Sequence, residues 1–397
     1  MTDAATLEHT STSALELTVV MPCLNEADTL ATCIDKARHA LESQGIVGEI
    51  VVADNGSTDG SPQIAEAHGA RVVPVAERGY GNALMGGIAA ARGRFIIMGD
   101  ADDSYDFGEI PKFVAELRRG YDLVQGCRLP AGGGTVKPGA MPLLHYWIGN
   151  PLFSFMIRWM FAAPLHDVYC GLRGFTRDAY ARLNQRCTGM EFAIEMIVKA
   201  SLLRMKIAEV PITLHPDGRK SHPPHLRTFR DGWRTLRFLL MYSPRWLFLV
   251  PGCLLLVLGL IGYLVAMPGT TIAGVTFDVH TLLVASLSVL LGYQAIQFAV
   301  FTKMFAITEG LLPPDRRMER FFRPGNLERG LILGLLLGVG GLVLLAIAVN
   351  AWRLRDFGRL DYAQTMRWVV PGVTLTAIGF QTVLASFFVG ILGLRRR

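Results

Sequence analysis

Three carboxylates, Asp100, Asp102 and Asp103, crowd the turn that follows the apolar run Phe95-Ile96-Ile97-Met98. The run reads as a buried strand, and a strand in a parallel sheet delivers its C-terminal residues to the crevice where ligands bind. Carboxylates grouped there can hold a hard divalent cation, and that cation can hold a diphosphate. Asp also favours turns and helix caps, so Asp-x-Asp alone is a weak pattern. Its context decides. Leu17 to Pro22 is a second β-rich run, followed by Cys23-Leu24-Asn25-Glu26, and Glu49 to Ala53 is a third, followed by Asp54-Asn55-Gly56-Ser57-Thr58-Asp59-Gly60. All three polar clusters would gather on one sheet edge.

The elements that would position them alternate. Apolar residues Leu30, Ile34, Ala37 and Leu41 fall at helical spacing after the first strand. A helix from about Ser61 to His68 leads to a strand from Ala70 to Val75, and an Ala/Gly-rich helix ends near Ala91. Strands alternating with helices imply right-handed βαβ units and a mostly parallel sheet, an α/β fold. Gly79-Tyr80-Gly81 is only a fragment of a dinucleotide-binding GxGxxG, with Leu84 where the third Gly belongs. Further on come a helix from Glu109 to about Arg119, a strand from Tyr121 to Gly126 and a Gly/Pro-rich loop from Ala131 to Pro142. His166 to Phe175 reads as a polar loop, Glu191 opens a helix through Leu203, and Ile207 to Leu214 reads as a strand. His222 and His225 flank Pro223-Pro224, which denies them a shared helical face.

Among 397 residues, 51% are hydrophobic and only 18% charged, with a mean hydropathy of +0.34. This is too apolar for an ordinary soluble protein, and the surplus lies beyond Trp246. Four spans are expected, at about Trp246–Met267, Thr281–Phe301, Gly330–Asn350 and Val369–Leu392, each near the ~20 residues that cross a bilayer. The Met267–His280 loop has no Lys or Arg, whereas Lys303, Arg316, Arg317, Arg320, Arg323 and Arg329 fill the next loop and Arg395-Arg396-Arg397 closes the chain. Positive-inside bias puts the N-terminal domain and both termini in the cytoplasm. Four Arg in Ala351–Trp368 weaken that bias without reversing it. The segments 147–163 and 226–242 are expected as interfacial helices, the former with a buried core helix as its alternative.

Net charge is +6, with basic residues at the membrane boundaries, and no aromatic-basic pattern suggests nucleic acid. The six cysteines have no paired spacing, so neither zinc nor disulfides are supported. Residues 1–16 are polar, unlike a signal peptide, and are expected to be disordered. Residues 17–243 would form the cytosolic domain and 244–397 the membrane domain.

In this order, Val20-Met21-Pro22-Cys23-Leu24-Asn25-Glu26, Val52 to Gly60 and Asp100-Ala101-Asp102 resemble family 2 glycosyltransferases of the GT-A fold. Gly79-Tyr80-Gly81-Asn82-Ala83, Gly126-Cys127-Arg128, Asp167 with Cys170-Gly171-Leu172-Arg173, Glu191-Phe192 and Gly218-Arg219-Lys220 narrow the resemblance to the dolichol- or polyprenyl-phosphate mannose and glucose synthases, over roughly Leu17 to Tyr242. The resemblance implies a nucleotide pocket of Pro22, Leu24, Asn25, Glu26, Asp54 and Ser57, with Asp100 helping to hold the nucleotide. It implies a Mg2+ or Mn2+ held mainly by Asp102, with Asp100, and with Ser104 standing where related enzymes often offer Gln. Arg128, Arg173, Arg219 and Lys220 would cradle a lipid phosphate, with juxtamembrane positive charge as the plainer account of the last two.

The reaction implied is a single inverting transfer of a sugar, UDP-glucose being the favoured donor and GDP-mannose the other, to a membrane polyprenyl phosphate. The residues nearest that chemistry would be Asp102, Asp167, Arg128 and Arg173. Asp167 could act as base, orient the acceptor, or simply pair with Arg173. The setting implied is an integral protein of a bacterial cell membrane, with a homo-oligomer left open. Two rivals stand beside this reading. One is a processive polysaccharide synthase, whose Gln-x-x-Arg-Trp is matched by Gln364 to Trp368 on the wrong side of the membrane. The other is a non-catalytic lipid carrier or scaffold.

Overall fold

A computed structural model describes residues 15–219, 228–313, 315 and 326–393. The chain divides into two compact units, Met1–Phe238 and Leu239–Arg397.

The first unit is built on β1 (Leu17–Cys23), α1 (Leu30–Ser43), β2 (Gly48–Asp54), α2 (Ser61–Ala67), β3 (Arg71–Pro74), α3 (Tyr80–Ala90), β4 (Phe95–Met98), α4 (Ile110–Arg118) and β5 (Leu123–Cys127). There follow β6 (Thr135–Val136), α5 (Asn150–Phe161), β7 (Arg173–Thr176), α6 (Arg177–Leu183), α7 (Phe192–Leu202), β8 (Ile207–Pro211), β9 (Thr213–Leu214) and α8 (Thr228–Met241). Seven strands form one sheet in the order β3-β2-β1-β4-β7-β5-β8. Every pair is parallel except those of β7, which runs antiparallel between β4 and β5. β1 and β4 are buried along their whole length, as expected of strands covered on both faces. Leu17, Val19, Met21 and Cys23, one face of β1, pack into a core with Leu30, Cys33, Ile34 and Ala37 of α1 and Phe113, Val114 and Leu117 of α4.

Register fixes the working edge. Cys23 pairs with Asp54 across β1 and β2, and Val20 with Met98 across β1 and β4. The loops after all three strands therefore leave the sheet side by side.

The sequence reading differs from the structure in three places. Arg173–Thr176, expected inside a polar loop, is strand β7; four residues with a central Gly carry no alternation to signal it. Ile207 to Leu214 breaks at Ile212 into β8 and β9, and β9 pairs with β6 inside the Gly/Pro-rich segment expected to be all loop. Along 147–163 the apolar side chains of Trp147, Phe155 and Trp159 are exposed, whereas Ile157 and Phe161 are buried, so the segment is amphipathic and not buried all round.

The second unit contains α9 (Val250–Ala266), α10 (Val279–Thr308), α11 (Asn326–Arg353) and α12 (Tyr362–Gly393). Four helices, Arg245–Ala266, Val279–Thr308, Leu327–Arg353 and Tyr362–Gly393, are long and apolar enough to cross a membrane. α9 packs on α10, α10 on α12, and α12 on α11. Hydroxyls bridge the α9–α10–α12 contacts: Tyr263 and Ser286 both meet Thr374, and Tyr293 meets Thr382 at 2.6 Å, the kind of polar pairing that joins helices in lipid. Arg367 bonds Asp278 at the start of α10. Residues 1–14 and the basic positions Arg316, Arg317, Arg320, Arg323 and Arg395 to Arg397 lie outside the described residues, as do Lys220, His222 and His225.

Candidate active site

The loop after β1 is laced to the loop after β2. Asn25 adopts a left-handed backbone (φ 60°). Its N–H donates to Ser57 Oγ at 2.9 Å and its Oδ1 accepts from Thr58 N at 2.8 Å. Glu26 N donates to Ser61 Oγ and Ala27 N to Asp59 Oδ2. The Asp54 carboxylate accepts from the N–H groups of Gly56 and Ser57, a side-chain closure of the turn. Leu24 is exposed beside this turn, while Glu26 and Asp54 are buried. Pro22, the residue before Cys23, pairs with Ala53 inside the sheet. Asn55 fixes the next wall: its Nδ2 donates to the carbonyls of Val75 and Glu77, and its Oδ1 accepts from Gly79 N.

Beyond β4 the three aspartates part company. Asp100 Oδ1 accepts from the Tyr80 hydroxyl at 2.9 Å. Gly171 presses on the other oxygen so closely that a Cβ there would stand 2.6 Å from Asp100 Oδ2. Burial first, and the neighbouring Asp102 charge second, push the Asp100 carboxyl up to about 6. Asp102 Oδ1 accepts from Ser104 N at 3.1 Å and from Ser104 Oγ at 2.6 Å; the Ser104 hydroxyl thus orients Asp102. Asp103, also left-handed, instead pairs with Lys36 at 2.7 Å.

Among the described residues, Arg219 is the cation that faces the first two aspartates. Arg219 Nε donates to Glu26 Oε2 at 2.8 Å and Nη2 to Oε1 at 2.7 Å, while Nη1 meets Asp217 at 2.9 Å. Its Nη2 is also 3.4 Å from Asp102 Oδ2. The strand-like stretch before it is tied down by His215 N to Ser104 O and by Gly218 N to Asp102 O.

The second charged centre sits where β5 ends. Asp167 is fully buried and bound by Arg128 through three donors: the backbone N at 3.0 Å, Nε at 2.7 Å and Nη2 at 2.9 Å. Despite the opposing effect of burial, the Arg128 guanidinium holds the Asp167 carboxyl below its ordinary range. A carboxylate so engaged is a poor base. Glu209 holds this loop from below, accepting from the N–H groups of His166 and Asp167.

Two sequence expectations are corrected here. Asp167 pairs with Arg128, not with Arg173. Arg173 is completely buried, and its guanidinium is spent on the backbone carbonyls of Val168, Cys170 and Ala193; it braces the loop and has no face to offer a phosphate. Tyr80 and Tyr105 carried no role in the sequence reading. Tyr80 binds Asp100, and the Tyr105 hydroxyl accepts from Gly171 N at 2.8 Å. A Tyr set between two glycines at a helix start was the available signal for the first; Tyr105 offered none beyond its closeness to Asp102.

Asp100 and Asp102 are oxygen donors of the kind that hard cations take. Among the described residues no group of three or more His, Cys, Asp or Glu could hold a metal ion. One or two carboxylates completed by substrate phosphates is the usual way such an ion is held, so the pair fits Mg2+ or Mn2+ delivered with a diphosphate.

The chain is similar to known proteins. Residues 18–183 match the family Glycosyl transferase family 2, and residues 300–393 match the Glycosyltransferase family 2 C-terminal transmembrane region. The chain is 37% identical over 393 residues, 98% of its own length and 92% of the relative's, to the low-salt glycan biosynthesis hexosyltransferase of Haloferax volcanii. It is 30% identical over 198 residues to the dolichyl-phosphate hexose transferase of the same organism, which covers 50% of this chain and 82% of the relative. A solved structure of glucosyl-3-phosphoglycerate synthase from Mycobacterium tuberculosis aligns with 57% of this chain and 77% of that one, at 22% identity and a TM-score of 0.43.

Proposed function

The chain belongs to glycosyltransferase family 2, and on that premise we propose that it transfers a hexose, with inversion, from a nucleoside-diphosphate sugar to a polyprenyl phosphate in the membrane. UDP-glucose is the favoured donor and GDP-mannose the alternative. The names of the two Haloferax relatives, a hexosyltransferase and a dolichyl-phosphate hexose transferase, support this reading. The observation that carries it is the row of acidic strand ends. Asp54 ends β2, and Asp100 and Asp102 follow β4, the two strands that flank β1, so their carboxylates leave one edge of the sheet together.

In this reading Leu24 and the Asp54–Ser57 turn receive the nucleoside, and Asp100 and Asp102 hold Mg2+ or Mn2+. The ion, when bound, neutralises the departing diphosphate, the main electrostatic task of the reaction. Tyr80 and Ser104 aim the two carboxylates, and Arg219 adds a guanidinium on the diphosphate side. The acceptor is a phosphate monoester, already anionic at pH 7 because its second pKa is about 6. It needs placing more than deprotonating. Arg128 Nη1, the nitrogen that Asp167 leaves free of itself, is the group to place it; Asp167 orients Arg128 and is no base.

The acceptor's chain stays in lipid, which gives the rest of the protein its part. Helices α9 to α12 integrate it in the membrane. The exposed Trp147, Phe155 and Trp159 suit an interface, and the Lys/Arg bias of the loops supports a transferase unit facing the cytoplasm.

The test is transfer of radiolabelled sugar to undecaprenyl or dolichyl phosphate across a panel of UDP- and GDP-sugars with Mn2+. A chloroform-soluble product that Asp102→Ala abolishes is expected. Lipid-phosphate binding without turnover of any donor would instead favour a scaffold.

A further inference from the structure

A buried ion pair lies within α7. Glu195 and Lys199, one turn apart on α7, are 0% and 6% exposed and meet at 2.7 Å. A buried pair of charges gains little stability over apolar side chains of the same shape, so its retention inside a helix calls for an account. Neither charge is idle. Glu195 Oε2 accepts from the backbone N–H groups of Arg186 at 2.9 Å and Cys187 at 2.8 Å. Lys199 Nζ donates to the carbonyl of Asn184 at 2.6 Å, where the chain turns through a left-handed residue (φ 46°). The pair grips the backbone of residues 184–187 from both ends.

That segment is the seat of the Tyr80 turn. Thr188 O accepts from Gly81 N at 2.9 Å and from Asn82 N at 3.3 Å. Contact is backbone to backbone, because a Cβ on Gly79 would lie 2.5 Å from Thr188 O and one on Gly81 would lie 2.3 Å from Cys187 O. Tyr80 projects from between these glycines, and its hydroxyl reaches Asp100.

We propose that Glu195 and Lys199 are positioning residues of the donor site: they fix the 184–188 backbone against Gly79–Gly81, and so set the hydrogen bond by which Tyr80 aims Asp100. This rests on the reading of Asp100 as part of the metal and diphosphate site.

The test is a double-mutant cycle on the full-length protein in detergent, reading binding of UDP and of GDP in the presence of Mn2+ by calorimetry. Tyr80→Phe and Glu195→Gln are each expected to weaken the bound nucleotide by about tenfold, and the combination by about tenfold as well, since groups acting through one contact are not additive. The KM for the lipid acceptor stays unchanged. Where Glu195→Gln alone leaves Lys199 buried and unpaired and the protein fails to fold, the neutral pair Glu195→Gln/Lys199→Met is read instead. Multiplying losses, about a hundredfold for the combination, would overturn the proposal, as would a lowered melting temperature with unchanged nucleotide affinity. A wild-type protein that binds neither nucleotide with Mn2+ overturns the donor-site reading itself, before any variant is compared.

Discussion

Arg219 holds Glu26 through two nitrogens, at 2.7 and 2.8 Å, while standing 3.4 Å from Asp102. A guanidinium is thereby shared among carboxylates that a divalent cation would also seek. Replacing Arg219 with Met removes a competitor for the ion and a partner for the diphosphate together. Mn2+ alone is expected to bind several-fold tighter, whereas turnover falls by about 10²-fold, the cost of losing one donor to developing charge. Manganese titration and steady-state rates check the two halves separately.

The raised Asp100 predicts a pH dependence with a definite sign. Its carboxyl titrates near 6 in the fold, against 3.8 for the ordinary group. The folded protein therefore holds a proton that the unfolded chain has lost between about pH 4 and 6, and this contribution to stability declines as pH rises through that window. A cation must displace the same proton. Its affinity is expected to fall about tenfold per pH unit below 6, with proton release visible in buffers of different ionisation enthalpy. Asp100→Asn removes both the release and the slope.

The Arg128–Asp167 pair behaves oppositely. Asp167 is held below the ordinary carboxylate range, so its stabilisation is complete above the unfolded value and is lost as pH falls through the depressed one. Asp167→Asn leaves Arg128 buried with no counter-charge, and unfolding is expected to become easier by about 3–5 kcal/mol. Denaturant titration would measure it, and adding Arg128→Met should return part of the loss.

Ser104→Ala tests orientation rather than ligation. The hydroxyl donates to Asp102 at 2.6 Å, and a hydrogen bond to a charged group is worth about 1.5–3 kcal/mol. Metal affinity in the presence of nucleotide should weaken by about tenfold or more while the melting temperature holds.

The parallel half of the sheet was legible because β1, β2 and β4 are apolar runs that end in Asn/Glu, Asp/Ser and Asp/Asp, and register carries those ends to one edge. The four spans were legible from the length and apolarity of their runs. Asp167 and Arg173 were not separable in sequence: both lie in one short loop, and only the fold shows that β7 carries Arg173 inside while β5 brings Arg128 to the carboxylate. Lys36, 67 residues before its partner Asp103, has no local sign at all. Its pairing depends on α1 returning across the β4 loop.

The antiparallel strand β7 sits between β4 and β5 although it follows both in the chain. During synthesis the facing edges of β4 and β5 must each wait, unpaired, for about fifty residues beyond β5 to emerge, and open strand edges are where chains join wrongly. Ending the chain anywhere between Cys127 and Arg173 leaves β3, β2, β1 and β4 as a four-stranded sheet and β5 with neither of its partners, β7 and β8. The residues that close the seam also carry Asp167 to Arg128 and Arg173 to its buried place, so a nascent chain has no assembled Arg128–Asp167 pair until its sheet is whole.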